Sequence, residues 1–103
     1  MNKIRLSKSS ILQAEKDAVL KVLDKEFLGM GEEVKLFEIG IKEYIDTAME
    51  VVCVNTGTSA LHLSLSVLGL KSGDEVLVPS LTYVASYQSI SATGAKPVSC
   101  EIN

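Results

Sequence analysis

Val51-Val52-Cys53-Val54 runs directly into Asn55-Thr56-Gly57-Thr58-Ser59, and then into Ala60 to Leu68, with leucines at 61, 65 and 68 before Gly69. A β-branched run predicts a strand, small polar residues predict a turn, and leucines four and three apart predict a helix closed by glycine. The same order recurs downstream. Lys71-Ser72-Gly73-Asp74 has turn chemistry, Glu75 to Val78 reads as a strand closed by Pro79, Thr82 to Thr93 as a helix stopped by Gly94, and Pro97 to Cys100 as a third strand. The expectation is a β-α-β-α-β unit in a mostly parallel α/β sheet, whose ligands sit beyond the carboxyl ends of the strands.

Upstream the pattern changes. Ser10-Ile11-Leu12-Gln13 matches a capping box ahead of Leu12, Val19, Leu23 and Phe27 at helical spacing, so a first helix is expected to run to about Phe27. Gly29-Met30-Gly31 interrupts it. Val34, Phe37, Ile41, Tyr44 and Ile45 then predict a second amphipathic helix ending near Thr47. The chain divides by this reading into a helical segment, residues 1–50, and the start of a larger α/β domain, residues 51–103.

Charge follows the same division. Of the 23 charged side chains, residues 1–50 hold 18 and residues 51–103 hold five. The second half therefore has the apolar character of strands covered on both faces, which a short piece standing alone would expose. A net charge of -3 with a single arginine, Arg5, gives no footprint for a nucleic-acid backbone. The N-terminal Met1-Asn2-Lys3-Ile4-Arg5 leads into no long apolar stretch, so no secretory signal is expected. Val51 to Leu70 is long enough for a membrane span but has a polar centre, and the expectation is a soluble cytoplasmic protein. Cys53 and Cys100 lack partners at metal-ligand spacing and read as small buried thiols, with no metal site.

Two junctions could carry chemistry. At Asn55 to Ser59 a strand ends and a helix begins, so free N–H groups, the positive end of the helix dipole and two hydroxyls could hold a phosphate close to Gly57. The same residues could equally be an ordinary N-cap by Thr56 or Thr58. The sequence is neither a Walker loop nor G-x-G-x-x-G. Pro79-Ser80-Leu81-Thr82-Tyr83 opens on the same sheet edge, where Tyr83 could cover a flat ligand or pack in the core. His62 has no visible acid or nucleophile partner and reads as structural.

These segments together resemble the N-terminal part of the DegT/DnrJ/EryC1/StrS family of sugar aminotransferases, pyridoxal-phosphate enzymes of the aspartate-aminotransferase fold (fold type I). The blocks that carry the likeness are Gly29-Met30-Gly31 with Val34 and Phe37-Glu38, Val54 to His62, Gly73 to Ala85, and Gly94 to Val98. The resemblance implies pyridoxal 5′-phosphate as cofactor, its phosphate held by Gly57, Thr58 and Ser59 and its ring stacked on Tyr83. It implies a nucleotide-linked keto sugar as substrate, glutamate or a similar amino acid as donor, and a homodimer. The lysine that bonds the cofactor covalently and the aspartate that pairs with the pyridine nitrogen lie, by the same resemblance, beyond residue 103, so this chain is expected to contain no catalytic residue and to be inactive alone. Lys71 and Lys96 are poor substitutes. A dehydratase of the same family, and a non-catalytic phosphate-binding or oligomerisation module, are the rival readings.

Overall fold

The computed structural model describes residue 4 and residues 6–102. It divides into two compact units, one extending to Val51 and the other starting at Val52.

The first unit holds α1 (Gln13–Asp24) and α2 (Glu32–Tyr44). The N-cap of α1 is Leu12, not Ser10, because its N–H donates to the Glu15 carboxylate at 2.6 Å. A charged acceptor outcompetes a neutral hydroxyl for an orphan N–H at a helix start. Gln13, expected to complete the box, donates its side-chain amide to Asp17 instead, at 2.8 Å. The helix ends three residues before Phe27, because Lys25 caps it and Glu26 enters the left-handed region at φ 52°. Lys25 then donates to Glu33 at 2.8 Å and Glu32 at 3.2 Å, and these carboxylates raise its pKa above the ordinary lysine value. Gly31 caps α2, and a Cβ there would lie 2.8 Å from the Phe27 ring. The helix stops at Tyr44 rather than Thr47, with Asp46 left-handed at φ 48°.

The second unit carries α3 (Gly57–Val67), β1 (Glu75–Pro79), α4 (Ala85–Ala92) and β2 (Lys96–Cys100). The strands pair in parallel, Glu75 opposite Lys96 through Pro79 opposite Cys100. Val78, Ile90 and Ala95 form the core, with Leu65, Leu70, Val76 and Tyr87 packed against it. Tyr87 pins α4 to both strands, its hydroxyl 2.8 Å from Ser99 Oγ and donating to the Pro79 carbonyl at 3.3 Å.

Three further expectations are corrected by the second unit. Residues 51–54 form no strand, and the described sheet contains β1 and β2 alone. A β-branched run becomes a strand only beside a neighbour that completes its ladder, and no described strand pairs with this one. The helix expected from Thr82 starts at Ala85, because Thr82 pairs its hydroxyl with that of Ser86 at 3.1 Å in the bend after β1. Cys53 and Cys100 are half-buried rather than buried. Among the described residues no helix is long and apolar enough to cross a membrane.

Gly94 joins α4 to β2 at φ +86°, and a Cβ there would stand 3.2 Å from the Ser72 amide nitrogen. Gly40, inside α2, has open space where its Cβ would be. Gly94→Ala should therefore destabilise by about 1–3 kcal/mol, whereas Gly40→Ala should stabilise by about 0.5–1 kcal/mol. Urea denaturation midpoints of the two variants check the opposite signs.

Candidate functional site

The start of α3 is built from its cap outward. Thr56 is extended and serves as N-cap, its hydroxyl oxygen accepting from Ser59 N–H at 3.0 Å and donating to Ser59 Oγ at 2.9 Å. The helical ladder begins with Ala60 N–H, which donates to the Thr56 carbonyl. The N–H groups of Gly57 and Thr58 stand outside that ladder, at the positive end of the helix. The capping alternative is thus true of Thr56, and it coexists with free donors on the two residues that follow.

Gly57 and Thr58 open onto a cleft of about 520 Å³ that is also lined by Leu61, Tyr83, Ala85 and Ser86. Tyr83 is 78% exposed, so it does not pack in the core. Its ring belongs to the same cleft as the α3 N-terminus. Ser59 is not part of the lining and sits beside the cap, bonded to Thr56. At Gly57 a Cβ would touch nothing, and its φ is not left-handed. Neither packing nor backbone strain in this chain calls for glycine there.

Sequence reasoning missed Ser89. It is 1% exposed, and its hydroxyl donates to the Thr58 carbonyl at 3.2 Å, joining α4 to the first turn of α3. The available signal was the spacing of Ala85 and Ser89, small residues one turn apart that let two helices approach closely. His62 is exposed on α3, as is Lys71 in its turn. Lys96 Nζ donates to Glu75 at 2.8 Å, and that carboxylate raises its pKa. Another cleft, of about 400 Å³ in the first unit, is lined by apolar residues such as Val22, Phe27 and Leu28, and its one cation, Lys25, is already paired with Glu32 and Glu33. It offers no free donor set.

A family model for DegT/DnrJ/EryC1/StrS aminotransferases matches residues 9–103. The chain belongs to that family. It is 47% identical over 91 residues to the dTDP-3-amino-3,4,6-trideoxy-alpha-D-glucose transaminase of Streptomyces venezuelae, a match covering 87% of this chain and 24% of that protein. A protein described as a sugar aminotransferase from Streptococcus pneumoniae, solved in its PMP form, superposes with a TM-score of 0.89 at 37% identity, over 99% of this chain and 26% of its own. The Escherichia coli GDP-4-keto-6-deoxy-D-mannose-3-dehydratase with bound hydrated PLP gives a TM-score of 0.87 at 28% identity, over 100% of this chain and 28% of its own. The chain spans about a quarter of the length of these relatives. Its α/β architecture is therefore part of the fold shared by the DegT/DnrJ/EryC1/StrS aminotransferases.

Since a Cβ at Gly57 meets open cleft and no protein atom, Gly57→Ala should leave stability within about 0.5 kcal/mol of wild type. The same methyl group should lower the affinity for inorganic phosphate several-fold. Denaturation and calorimetric titration, run in parallel on a full-length enzyme carrying this segment, separate the two effects.

Proposed function

We propose that this chain is the N-terminal part of a pyridoxal-phosphate-dependent aminotransferase that acts on a nucleotide-linked keto sugar, with glutamate as amino donor. The observation that carries the proposal is the convergence of Gly57, Thr58 and Tyr83 on one cleft beyond the carboxyl end of β1. In this reading the N–H groups of Gly57 and Thr58 and the hydroxyls of Thr58 and Ser59 bind the cofactor phosphate. Tyr83 lies flat against the pyridine ring and excludes water from one face. When bound, pyridoxal 5′-phosphate supplies the electron sink that lets an amino group pass between carbon skeletons.

The residues of this chain bind and orient, and none of them transfers a proton. A lysine that bonds the cofactor must reach a neutral, nucleophilic state, which a desolvated or cation-flanked site favours. Lys96 has the opposite environment, since Glu75 holds it as an ammonium ion. The covalent lysine is accordingly assigned to a part of the enzyme outside this chain. Residues 1–50 are taken as an N-terminal helical segment and residues 51–103 as the start of the large cofactor-binding domain. The reading also takes the enzyme to be a cytoplasmic homodimer.

Identity favours an aminotransferase over the dehydratase, at 47% and 37% for the first two relatives against 28% for the third. A purely structural module is disfavoured by the uncommitted donors at the cleft.

Two measurements on the full-length enzyme test the proposal. Tyr83→Phe retains the ring and should bind pyridoxal phosphate nearly as wild type, whereas Tyr83→Ala should bind about three- to tenfold more weakly, the loss set by an aromatic contact worth roughly 0.5–1.5 kcal/mol. Equal small effects in both variants would remove the stacking role. Treatment with pyridoxal phosphate and then borohydride at neutral pH should label neither Lys71 nor Lys96 stoichiometrically, with Lys96 the less reactive because its raised pKa depletes the free amine. Stoichiometric label on either residue would contradict the assignment of the covalent lysine elsewhere.

A further inference from the structure

The first turn of α3 is wired to α4 through a chain of hydrogen bonds that all run in one direction. Ser89 Oγ donates to the Thr58 carbonyl at 3.2 Å. That carbonyl belongs to the peptide unit whose N–H, on Ser59, donates to Thr56 Oγ1 at 3.0 Å. Thr56 Oγ1 in turn donates to Ser59 Oγ at 2.9 Å. Ser59 Oγ has now accepted a bond and still holds its own proton. The chain therefore starts at a hydroxyl sealed from water and ends at a hydroxyl with its donor free.

We propose that Ser89 is a positioning residue for anion binding, whose buried hydroxyl fixes the Thr58–Ser59 peptide so that the Ser59 hydroxyl, which does not itself line the cleft but sits in sequence between the lining residues Thr58 and Ala60, presents its proton to the cofactor phosphate. The inference rests on the phosphate reading above. Three features of the structure support it. Ser89 is the most deeply buried side chain of the described residues, and a buried hydroxyl holds to an acceptor because leaving it unpaired is costly. Its acceptor is the carbonyl next to the cap, 31 residues away in sequence, so the bond couples two elements that local structure would leave independent. Donation to an amide oxygen polarises the N–H of the same peptide unit, and serial hydrogen bonds strengthen one another in a low-dielectric interior. With Thr56 Oγ1 held as acceptor from Ser59 N–H, its own proton can go to Ser59 Oγ. Ser59 is thereby left as a donor and cannot turn its proton back to Thr56.

Ser89 itself touches no ligand in this scheme, so it must be distinguished from a residue that only packs α4 on α3. The test is a double-mutant cycle, with inorganic phosphate titrated calorimetrically into the cofactor-stripped full-length enzyme. Ser59→Ala should weaken phosphate binding about tenfold, the loss of one charge-assisted hydrogen bond. Ser89→Ala should weaken it roughly threefold, and this effect should fall to less than about 1.5-fold in the Ser59→Ala background because the relay no longer has an end. Ser89→Cys, close in volume and a weaker donor, should lie between wild type and Ser89→Ala, and it carries the cycle if the alanine variant loses its circular-dichroism spectrum. An equal loss on removing Ser89 in both backgrounds would overturn the positioning role and leave packing as the explanation. Wild-type affinity in Ser89→Ala, with Ser59→Ala impaired, would overturn it while keeping the phosphate reading. Wild-type affinity in Ser59→Ala would overturn both.

Discussion

The separation of α3 and α4 governs everything else in the second unit, and it is set where Ser89 Oγ meets the Thr58 carbonyl at 3.2 Å. Small side chains make that approach sterically open: Ala85 and Ser89, one helical turn apart, are both buried. A larger side chain at either position would push the helices apart and move Thr58 away from Tyr83, widening the cleft. A serine rather than an alanine at the tightest point adds direction to proximity, because a hydroxyl must find its acceptor or lose the cost of desolvation. Tyr87, two residues earlier on α4, performs the same service toward the sheet through Ser99 and Pro79. Between them these side chains fix the Pro79–Tyr83 junction relative to the α3 N-terminus.

Around this small, specific centre the packing is sparse. Among the described residues only Val78, Ala85, Ser89, Ile90 and Ala95 are buried. Leu77, which alternates with Val78 along β1, is 74% exposed on the opposite face of the sheet. Parallel strands ordinarily have both faces covered, so an exposed leucine beside the Glu75–Lys96 ion pair marks a face that the larger fold of its relatives has room to cover. The relatives are about four times longer, consistent with that requirement. The first unit follows the same rule, since neither α1 nor α2 buries a residue. Helix formation there rests on local devices such as the Glu15 carboxylate on Leu12 N–H and the left-handed C-terminal residues Glu26 and Asp46.

Legibility in the sequence followed the range of the interactions involved. Glycines with positive φ at 69, 73 and 94 mark boundaries that local sterics dictate, and the turns read at those positions are present. β1 and β2 were legible because each is short, apolar and bounded by turn residues. Val51 to Val54 has equal β-propensity, yet a strand is a property of a pair, and no run of residues encodes its own partner. The capping of α1 was misread for a related reason: Ser10 and Glu15 both offer acceptors, and the charge on Glu15 decides between them. At the site, Thr56 through Ser59 and Tyr83 stood out because they fall where a strand pattern gives way to a helix pattern, Tyr83 being one of only five aromatic residues in the chain. Ser89 did not, since a serine within Ala85–Ala92 looks like a solvated helix position until the facing helix is known.

The cleft holds no cationic side chain, which determines how it can recognise an anion. The chain carries a net charge of -3 and the second half only two lysines, of which Lys96 is committed to Glu75. Long-range attraction therefore contributes little, and screening removes what remains beyond roughly 8 Å at physiological ionic strength. On the phosphate reading proposed above, this chain contributes short, oriented dipoles: the two N–H groups outside the α3 ladder, the helix terminus, and the hydroxyls of Thr58 and Ser59. Such donors lose strength steeply with misalignment, whereas a lysine tolerates displacement because a point charge acts in all directions. A site made of dipoles depends on rigidity more than a site made of charges does. On that reading, the dependence accounts for Ser89, the most deeply buried polar group among the described residues, lying one hydrogen bond from the first turn of α3.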